Sequence, residues 1–208
     1  QISLLRPIED VLSFWDVLTP DERNFILNTY TLHKYKKNEV IQCEGDEPTH
    51  LMILAEGKVK VYKNGFGNRA QIVRMLKPGE HFGYRAIIAN EVNSTTVTAF
   101  EDSTIYLISG DIFLSILRHN NAFCYRFLEE LSFDLAESDA RTVNLTQKHI
   151  RGRLAESLLF LKDNYGLEED GATISIYLSR EDLANHSNMT TANAIRTLAN
   201  FVNESLIA

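Results

Sequence analysis

The sequence is poor in cysteine, and this excludes several kinds of site. Its two cysteines, Cys43 and Cys124, lie far apart, and no CxxC or CxxH pair occurs. A structural zinc site or a cysteine-ligated iron–sulfur cluster needs several such ligands at close spacing, so neither is expected. No metal and no cofactor are predicted. We expect both thiols to be buried apolar residues that form no disulfide.

Long apolar runs are also lacking. No stretch approaches the roughly 18 residues that a membrane-spanning helix needs. The first residues, QISLLRPIEDVLSFWD, carry acids and do not have the layout of a signal peptide. Of the 208 residues, 44% are apolar and 24% are charged, which is ordinary for a globular protein. We therefore expect a cytoplasmic protein of one or two domains with no membrane partner.

Positive charge is in excess in neither part of the chain. The 21 basic residues are outnumbered by 28 acidic ones, so the formal net charge is −7. Residues 1–145 carry 15 basic and 20 acidic side chains, and residues 146–208 carry 6 and 8. Any binding to nucleic acid would therefore depend on a local patch rather than on the net charge.

Motifs for catalysis are missing as well. A metal-dependent barrel enzyme of the cupin type needs clustered histidines, but the six histidines include no His-x-His. There is also no nucleophile elbow and no P-loop. An enzyme is therefore not predicted, and no catalytic residue is proposed.

What the sequence does contain is a succession of different patterns. Residues 1–30 indicate helices, with Thr19 as an N-cap before Pro20 and two acids. Residues 31–110 contain short β-type runs separated by glycine turns, and KVKVY at 58–62 alternates as a half-buried strand does. Many short strands at such spacing are typical of a barrel, jelly roll or sandwich. A long helical pattern follows over residues 111–145.

The long helical pattern contains a heptad seam. Its members, spaced alternately by four and three residues, are Cys124, Leu128, Leu131, Leu135, Ser138 and Thr142. One interpretation is a helix that packs on its own barrel. The other is a helix that pairs with a second copy of the chain. The spacing alone favours neither.

The last part of the chain contains two short helical patterns joined by a tight turn. Ser179 with Asp182 indicates the start of the first helix, and Thr190 can cap the second. On a helical wheel, one side of the second helix is apolar: Ile195, Leu198, Ala199 and Val202. The other side is polar and has no carboxylate: Asn193, Arg196, Thr197 and Asn200. Such a pair is typical of a DNA-binding helix-turn-helix, and also of a plain αα-corner with a solvated face.

Taken in order, these features resemble the CRP/FNR (cyclic-AMP receptor protein / fumarate-nitrate regulator) family of bacterial transcription regulators. The resemblance is carried by SREDLANHSNMTTANAIRTL at 179–198, RGRLAESLLFL at 151–161 and KPGEHFG at 77–83. It implies an α+β fold with a β-roll sensor domain of the cyclic-nucleotide-binding type over 1–110 and a dimerisation helix over 111–145. A winged helix-turn-helix domain would occupy 146–208, and the wing itself is expected to follow Ala208.

The resemblance also implies partners and DNA contacts. A homodimer would bind double-stranded DNA at a pseudo-palindromic operator, with RNA polymerase as a further partner and an unknown small molecule as effector. The residues expected at the DNA are Arg151, Arg180, Thr190, Thr191, Ala192, Asn193, Arg196 and Thr197. Thr191 and Ala192 replace an Arg and a Glu of the cyclic-AMP-responsive members, so a different operator sequence is expected.

The sensor region departs from the cyclic-AMP pattern of that family. The family's Gly-Glu-Leu is Gly83-Tyr84-Arg85 here, and its Arg-Ser pair is Asn93-Ser94, so the phosphate-clamping arginine is absent. We therefore predict that the sensor does not bind cyclic AMP. It would bind another effector, or its pocket would be filled by side chains. The expected pocket residues are Tyr84, Arg85, Asn93, Ser94 and Ser138.

A second function is compatible with the same residues. The chain could be a sensor or a partner-binding module whose degenerate helix-turn-helix does not bind DNA. The acidic net charge of −7 favours this alternative, whereas the carboxylate-free side of the second helix favours DNA binding. DNA selection would discriminate between the two.

Overall fold

A computed structural model describes residues 5–65, 67 and 69–208. The contacts divide the chain into two compact units. The first comprises the chain up to Lys63 together with Val73–Phe133, and the second comprises Asn64–Ile72 together with Asp134–Ala208. No helix among the described residues is long and apolar enough to cross a membrane.

The β-roll contains eight strands among the described residues. They are β1 Thr31–Tyr35, β2 Val40–Gln42, β3 His50–Glu56, β4 Val59–Asn64, β5 Ala70–Leu76, β6 His81–Phe82, β7 Thr96–Ala99 and β8 Ser103–Ser109. They form two four-stranded sheets, one in the order β1-β8-β3-β6 and the other in the order β2-β7-β4-β5. The predicted alternation of KVKVY is confirmed, since Val59 and Val61 are buried and the residues after them are more exposed.

The core of the first unit is built on the central strand pair. β3 and β8 run antiparallel, with Ile53 opposite Tyr106, and nearly all of their residues are buried on both faces. Strands with no polar face are expected where both sides are covered. Phe113, Phe123 and Phe127 from the following helices pack against this core.

Among its described residues, the first unit also contains six helices and turns. They are α1 Ile8–Val11, a 3₁₀ turn Trp15–Val17, α2 Pro20–Thr29, α3 Tyr84–Ala89, α4 Gly110–His119 and the beginning of α5 Asn121–Gln147. The N-cap predicted at Thr19 is confirmed. Its hydroxyl accepts a hydrogen bond from the Glu22 amide, and the Glu22 carboxylate accepts one from the Thr19 amide at 2.8 Å.

The long helical pattern over 111–145 is interrupted at Asn120, which separates α4 from α5. The Asn120 Oδ1 accepts a hydrogen bond from the Phe123 amide at 2.9 Å. Its Nδ2 donates to the Val17 carbonyl at 3.0 Å and to the Glu22 carboxylate at 2.7 Å. Asn120 therefore caps the start of α5 and ties it to the N-terminal helices.

The heptad seam of α5 lies only in part against the core of its own unit. Leu131 packs against that core, whereas Leu128 and Leu135 are exposed, as is the neighbouring Phe133. The expectation that both cysteines are buried is wrong. Cys124 on this seam is half-buried, and Cys43 is exposed because it lies in the turn after β2.

The second unit is helical and includes the end of α5. Its other helices are α6 Ile150–Tyr165, α7 Arg180–His186 and α8 Thr191–Asn203. The short strand predicted at Thr173–Tyr177 is wrong, because only an isolated bridge between Leu167 and Ile174 forms there. The core of this unit consists of apolar residues from all three helices and the turn: Leu154, Leu161, Leu183, Ala184, Met189, Ala194, Leu198 and Phe201.

Candidate functional site

The turn between α7 and α8 is fixed by local hydrogen bonds. The Ser179 hydroxyl accepts from the Asp182 amide at 2.9 Å, and the Thr190 hydroxyl accepts from the Asn193 amide at 3.3 Å, so both predicted N-caps are confirmed. Asn188 in the turn has a φ of +51°, a conformation that asparagine tolerates better than most residues. The buried Ser187 hydroxyl is 2.8 Å from the Ser157 hydroxyl of α6, which holds the turn in place.

The buried side of α8 differs from the side predicted by the helical wheel. It consists of Ala194, Thr197, Leu198 and Phe201. Thr197 is 9% exposed, so its predicted place on the polar, solvent-facing side is wrong, and its side chain is not presented for DNA contact. Ile195 and Val202, predicted to be inside, are about half exposed at 50% and 48%.

The exposed side of α8 has the chemistry of a DNA-reading surface. Thr191, Ala192, Arg196 and Asn200 are exposed, and Asn193 is half-buried. Arginine can bind a guanine through two hydrogen bonds, asparagine can bind an adenine in the same way, and a small residue leaves room for a base edge. α8 contains no carboxylate that would repel phosphate.

The remaining predicted DNA contacts surround α8. Arg180 is exposed at the first position of α7, and Thr190 is exposed while its hydroxyl caps α8. Arg151 is already engaged, since its guanidinium donates to both carboxylate oxygens of Glu204, with Nη1 to Oε1 at 2.6 Å. The guanidinium also lies 4.8 Å from the centre of the Phe201 ring. This bidentate pair links the first turn of α6 to the end of α8.

A small pocket of about 50 Å³ opens in the β-roll. Four of the five predicted effector residues line it, namely Tyr84, Arg85, Asn93 and Ser94. The fifth, Ser138, is an exposed residue of α5 in the second unit, and its place in an effector site stays a prediction. Sequence reasoning missed Arg74, which lines the pocket from β5.

The polar groups of this pocket are arranged around a buried tyrosine. Arg74 donates through Nη1 to the Tyr84 hydroxyl at 3.2 Å, and the Arg85 guanidinium lies 6.0 Å from the centre of the Tyr84 ring. The buried Oδ1 of Asn93 has no hydrogen-bond partner among the described residues. Two guanidinium groups and one buried acceptor therefore face the same small space.

The backbone at the edge of the pocket requires glycine. Gly83 precedes α3 with a φ of +85°, and a Cβ added there would lie 2.6 Å from the His50 carbonyl oxygen. The main chain therefore comes closer to β3 than any other residue would allow, which places Tyr84 directly in the pocket wall.

Comparison with known proteins identifies both units. Residues 32–120 match the family model of the cyclic nucleotide-binding domain, and residues 152–208 match that of the Crp-like helix-turn-helix domain. The chain belongs to the CRP/FNR family. It is thus a member of a family of transcription regulators and carries a helix-turn-helix DNA-binding domain. The predicted family and the predicted α+β fold are confirmed.

Individual relatives resemble the chain over part or most of its length. The chain is 26% identical over 144 residues to a cyclic AMP receptor protein of Thermus thermophilus, covering 69% of the chain and 67% of that protein. It is 34% identical over 106 residues to a cGMP-dependent protein kinase of Toxoplasma gondii, but this match spans only 10% of the kinase and 51% of the chain. A crp/fnr family regulator from Eubacterium rectale superposes with a TM-score of 0.80, at 18% identity and with 94% and 89% of the two chains covered.

Proposed function

We propose that this CRP/FNR family protein is a homodimeric, sequence-specific DNA-binding regulator that acts on transcription by RNA polymerase. Each copy would insert the exposed side of α8 into a major groove. The observation that carries this proposal is the exposed Arg196, with Thr191 and Ala192 on the same carboxylate-free helix. Thr190, Asn193 and Arg180 would position the helix through phosphates.

The homodimer is supported by the uncovered apolar residues of α5. Leu128 and Leu135 are 55% and 63% exposed and lie seven residues apart on one side of α5, and helices rarely leave such a pair of side chains in water. Pairing of two α5 helices would bury them and would set two half-sites about one DNA turn apart. Sedimentation of the Leu128→Lys/Leu135→Lys double variant should show a monomer, whereas Val92→Lys, an exposed apolar site on the β-roll, should leave a dimer. A dimeric double variant would contradict this arrangement.

The DNA-binding proposal is tested by selection from a random duplex pool at moderate salt with no ligand added. The expected result is a pseudo-palindromic sequence. Arg196→Ala should then weaken binding by roughly 1–3 kcal/mol, concentrated at one base pair per half-site. Arg118→Ala on α4 serves as a control for loss of an exposed cation. A uniform loss across sequences would make Arg196 a phosphate contact, and recovery of no sequence would favour the non-DNA-binding sensor module.

We further propose that the β-roll pocket is the effector site and that its ligand is not cyclic AMP. Arg74 joins Tyr84, Arg85, Asn93 and Ser94 in this proposal, and Ser138 is retained as a candidate from α5. The pocket of about 50 Å³ is well below the roughly 300 Å³ typical of sites for drug-sized ligands, so its ligand would be smaller than a cyclic nucleotide. Thermal unfolding with cyclic AMP and with cyclic GMP should therefore show no saturable stabilisation. A saturable shift that disappears in Arg85→Met would contradict this proposal.

A further inference from the structure

A second pocket lies wholly within the helical unit. It has a volume of about 150 Å³ and lies between the end of α5, the middle of α6 and the last residue of α7. Its polar wall includes Arg141, Asn144, Arg153 and His186, and its apolar wall includes Leu145 and Phe160. None of these residues belongs to the DNA-reading side of α8 or to the β-roll pocket.

His186 is buried in this pocket without hydrogen bonds from its ring. The residue is 4% exposed, and neither ring nitrogen has a hydrogen-bond partner among the described residues. Buried polar side chains nearly always have such a partner. Burial, together with the nearby Arg141, lowers the pKa of His186 to about 3, so the ring is neutral and offers one N–H donor and one acceptor.

Arg153 provides a second unused donor. Its Nη1 donates to the Leu145 carbonyl at 3.0 Å, which fixes the guanidinium, but its buried Nε has no partner among the described residues. Arg141 also lines the pocket and donates through Nη2 to the carbonyls of Ile72 and His186 at 2.6 and 3.3 Å. The pocket thus combines two fixed guanidinium groups with a neutral imidazole.

The charged side chains around the pocket have a net positive charge that one negative charge would neutralise. Glu137 and Glu156 also line it, and Glu156 forms an ion pair with Lys148. Three cations, Arg141, Arg153 and Lys148, against these two carboxylates leave a net charge of +1. Phosphate at neutral pH carries more negative charge than this surplus. A carboxylate carries a single charge and matches the planar guanidinium.

We infer that this pocket binds a small organic monocarboxylate. Once the side chains of Arg153 and His186 turn toward the pocket, the carboxylate would accept hydrogen bonds from the guanidinium and from the ring. The apolar part of the ligand would lie against Phe160 and Leu145. The centres of the Phe160 and His186 rings are 5.3 Å apart and their planes are inclined by 32°, so two aromatic rings meet at this side of the pocket. Because His186 ends α7, the ligand would contact the residue directly before the helix-turn-helix turn.

The matched probes for this site are benzoate and benzamide, which have similar shape but differ in charge. Titration of the full chain at constant ionic strength should give saturable benzoate binding with a dissociation constant on the order of 1 mM, as expected for a ligand of this size. Benzamide should bind at least tenfold more weakly. Equal binding of the two would show a merely apolar cavity, and the absence of saturable benzoate binding would overturn the inference outright.

Variants then locate the bound carboxylate. Arg153→Met keeps most of the aliphatic side chain, removes the guanidinium, and should weaken benzoate binding at least tenfold. Lys162→Met, which removes an exposed cation from the same helix outside the pocket, should bind benzoate as the unmodified chain does. If Arg153→Met has no effect, or if Arg85→Met in the β-roll abolishes binding instead, the carboxylate binds elsewhere and the inference is wrong.

A measurement on the unmodified chain covers the case in which Arg153→Met does not fold. The His186 ring proton signals should shift with benzoate concentration along the same curve as the titration and should not shift with benzamide. Unchanged His186 signals under saturating benzoate would overturn the inference. None of these measurements involves DNA, so they are independent of the proposed regulatory function.

Discussion

The β-roll pocket and the pocket of the helical unit differ in which of their described buried polar atoms lack a hydrogen-bond partner. In the β-roll the atom is an acceptor, Oδ1 of Asn93, while the Arg74 guanidinium is hydrogen-bonded to Tyr84. In the helical unit the atoms are the Arg153 Nε and the two ring nitrogens of His186. The buried atoms without a partner are thus donors or a titratable ring in the helical unit, and an acceptor in the β-roll pocket.

The largest difference between the two pockets should appear when an arginine is removed from each. Arg141→Met removes two hydrogen bonds from a charged group, one to the His186 carbonyl and one to the Ile72 carbonyl, which keeps the donor Gln71 Nε2 at 3.1 Å. The local stability of α7 should therefore fall by about 3 kcal/mol. Arg85→Met removes an exposed guanidinium that lies 6.0 Å from the centre of the Tyr84 ring and should lower the stability of the β-roll by about 1 kcal/mol or less. Native-state hydrogen exchange of the amides in α7 and α3 measures both. Equal losses of stability in Arg141→Met and Arg85→Met would contradict the predicted difference between the two pockets.

Acid should destabilise the helical unit through His186. Its pKa is about 3 in the folded chain, against an ordinary value of 6.5 for a solvated histidine, so as the pH falls the unfolded chain takes up the proton first. The stabilisation is therefore complete above pH 6.5 and is lost as the pH falls towards 3, at about 1.4 kcal/mol per pH unit. Urea unfolding followed by circular dichroism between about pH 4.5 and 6.5 should show a loss of about 2.5 kcal/mol that is absent in His186→Leu.

The control for this acid effect is Phe160→Leu, which disturbs the packing around His186 without removing a titrating group. It should lower stability at every pH and keep the slope of the unmodified chain. A His186→Leu variant that retains the full pH slope would show that the slope comes from carboxylates elsewhere in the chain.

A smaller effect is expected in the β-roll from Tyr84→Phe. The variant removes the hydroxyl that accepts from Arg74 and should lower the free energy of unfolding by about 1 kcal/mol, the usual contribution of one hydrogen bond. Trp15 packs against the core of the first unit, so its fluorescence during urea unfolding reports the stability of the unit that contains the β-roll. An unchanged midpoint would mean that water replaces the hydroxyl without loss.

Local signals in the sequence predicted much of the fold. The N-caps at Thr19, Ser179 and Thr190 are confirmed because each depends on residues within three positions. The alternation of buried and more exposed residues along β4 is confirmed because it too depends only on neighbouring residues. The break at Asn120 was not predicted, since its side chain contacts Val17 and Glu22, which are about a hundred residues away in sequence.

The orientation of α8 required information that periodicity does not contain. Apolar residues occur around much of this helix, so Ile195 with Val202 and Ala194 with Phe201 define two plausible inner sides. Packing selects the second, because Phe201 is the larger group and Ala194 permits close approach to the neighbouring helices. With Ala194 and Phe201 packed inside, Thr197 is buried as well. Arg196 is exposed, and it would also be exposed if Ile195 and Val202 formed the inner side.

The pocket of the helical unit could not be predicted from its residues taken singly. Arg141, Arg153 and His186 lie on three different helices, and isolated basic residues on helices are usually solvated. Only tertiary packing brings them together and removes their polar atoms from water. The single local signal is His186 itself, three residues after the buried Leu183 and therefore on the same side of α7.

The bidentate pair between Arg151 and Glu204 affects how DNA binding would respond to salt. An arginine that meets a phosphate normally releases a condensed cation from the DNA, and each such contact adds about 0.9 to the slope of log affinity against log salt. Arg151 would instead exchange the Glu204 carboxylate for a phosphate and leave that carboxylate in need of a new counterion. It would therefore add almost nothing to the slope, although it is among the residues predicted at the DNA. The salt dependence of binding would come from other cations such as Arg180.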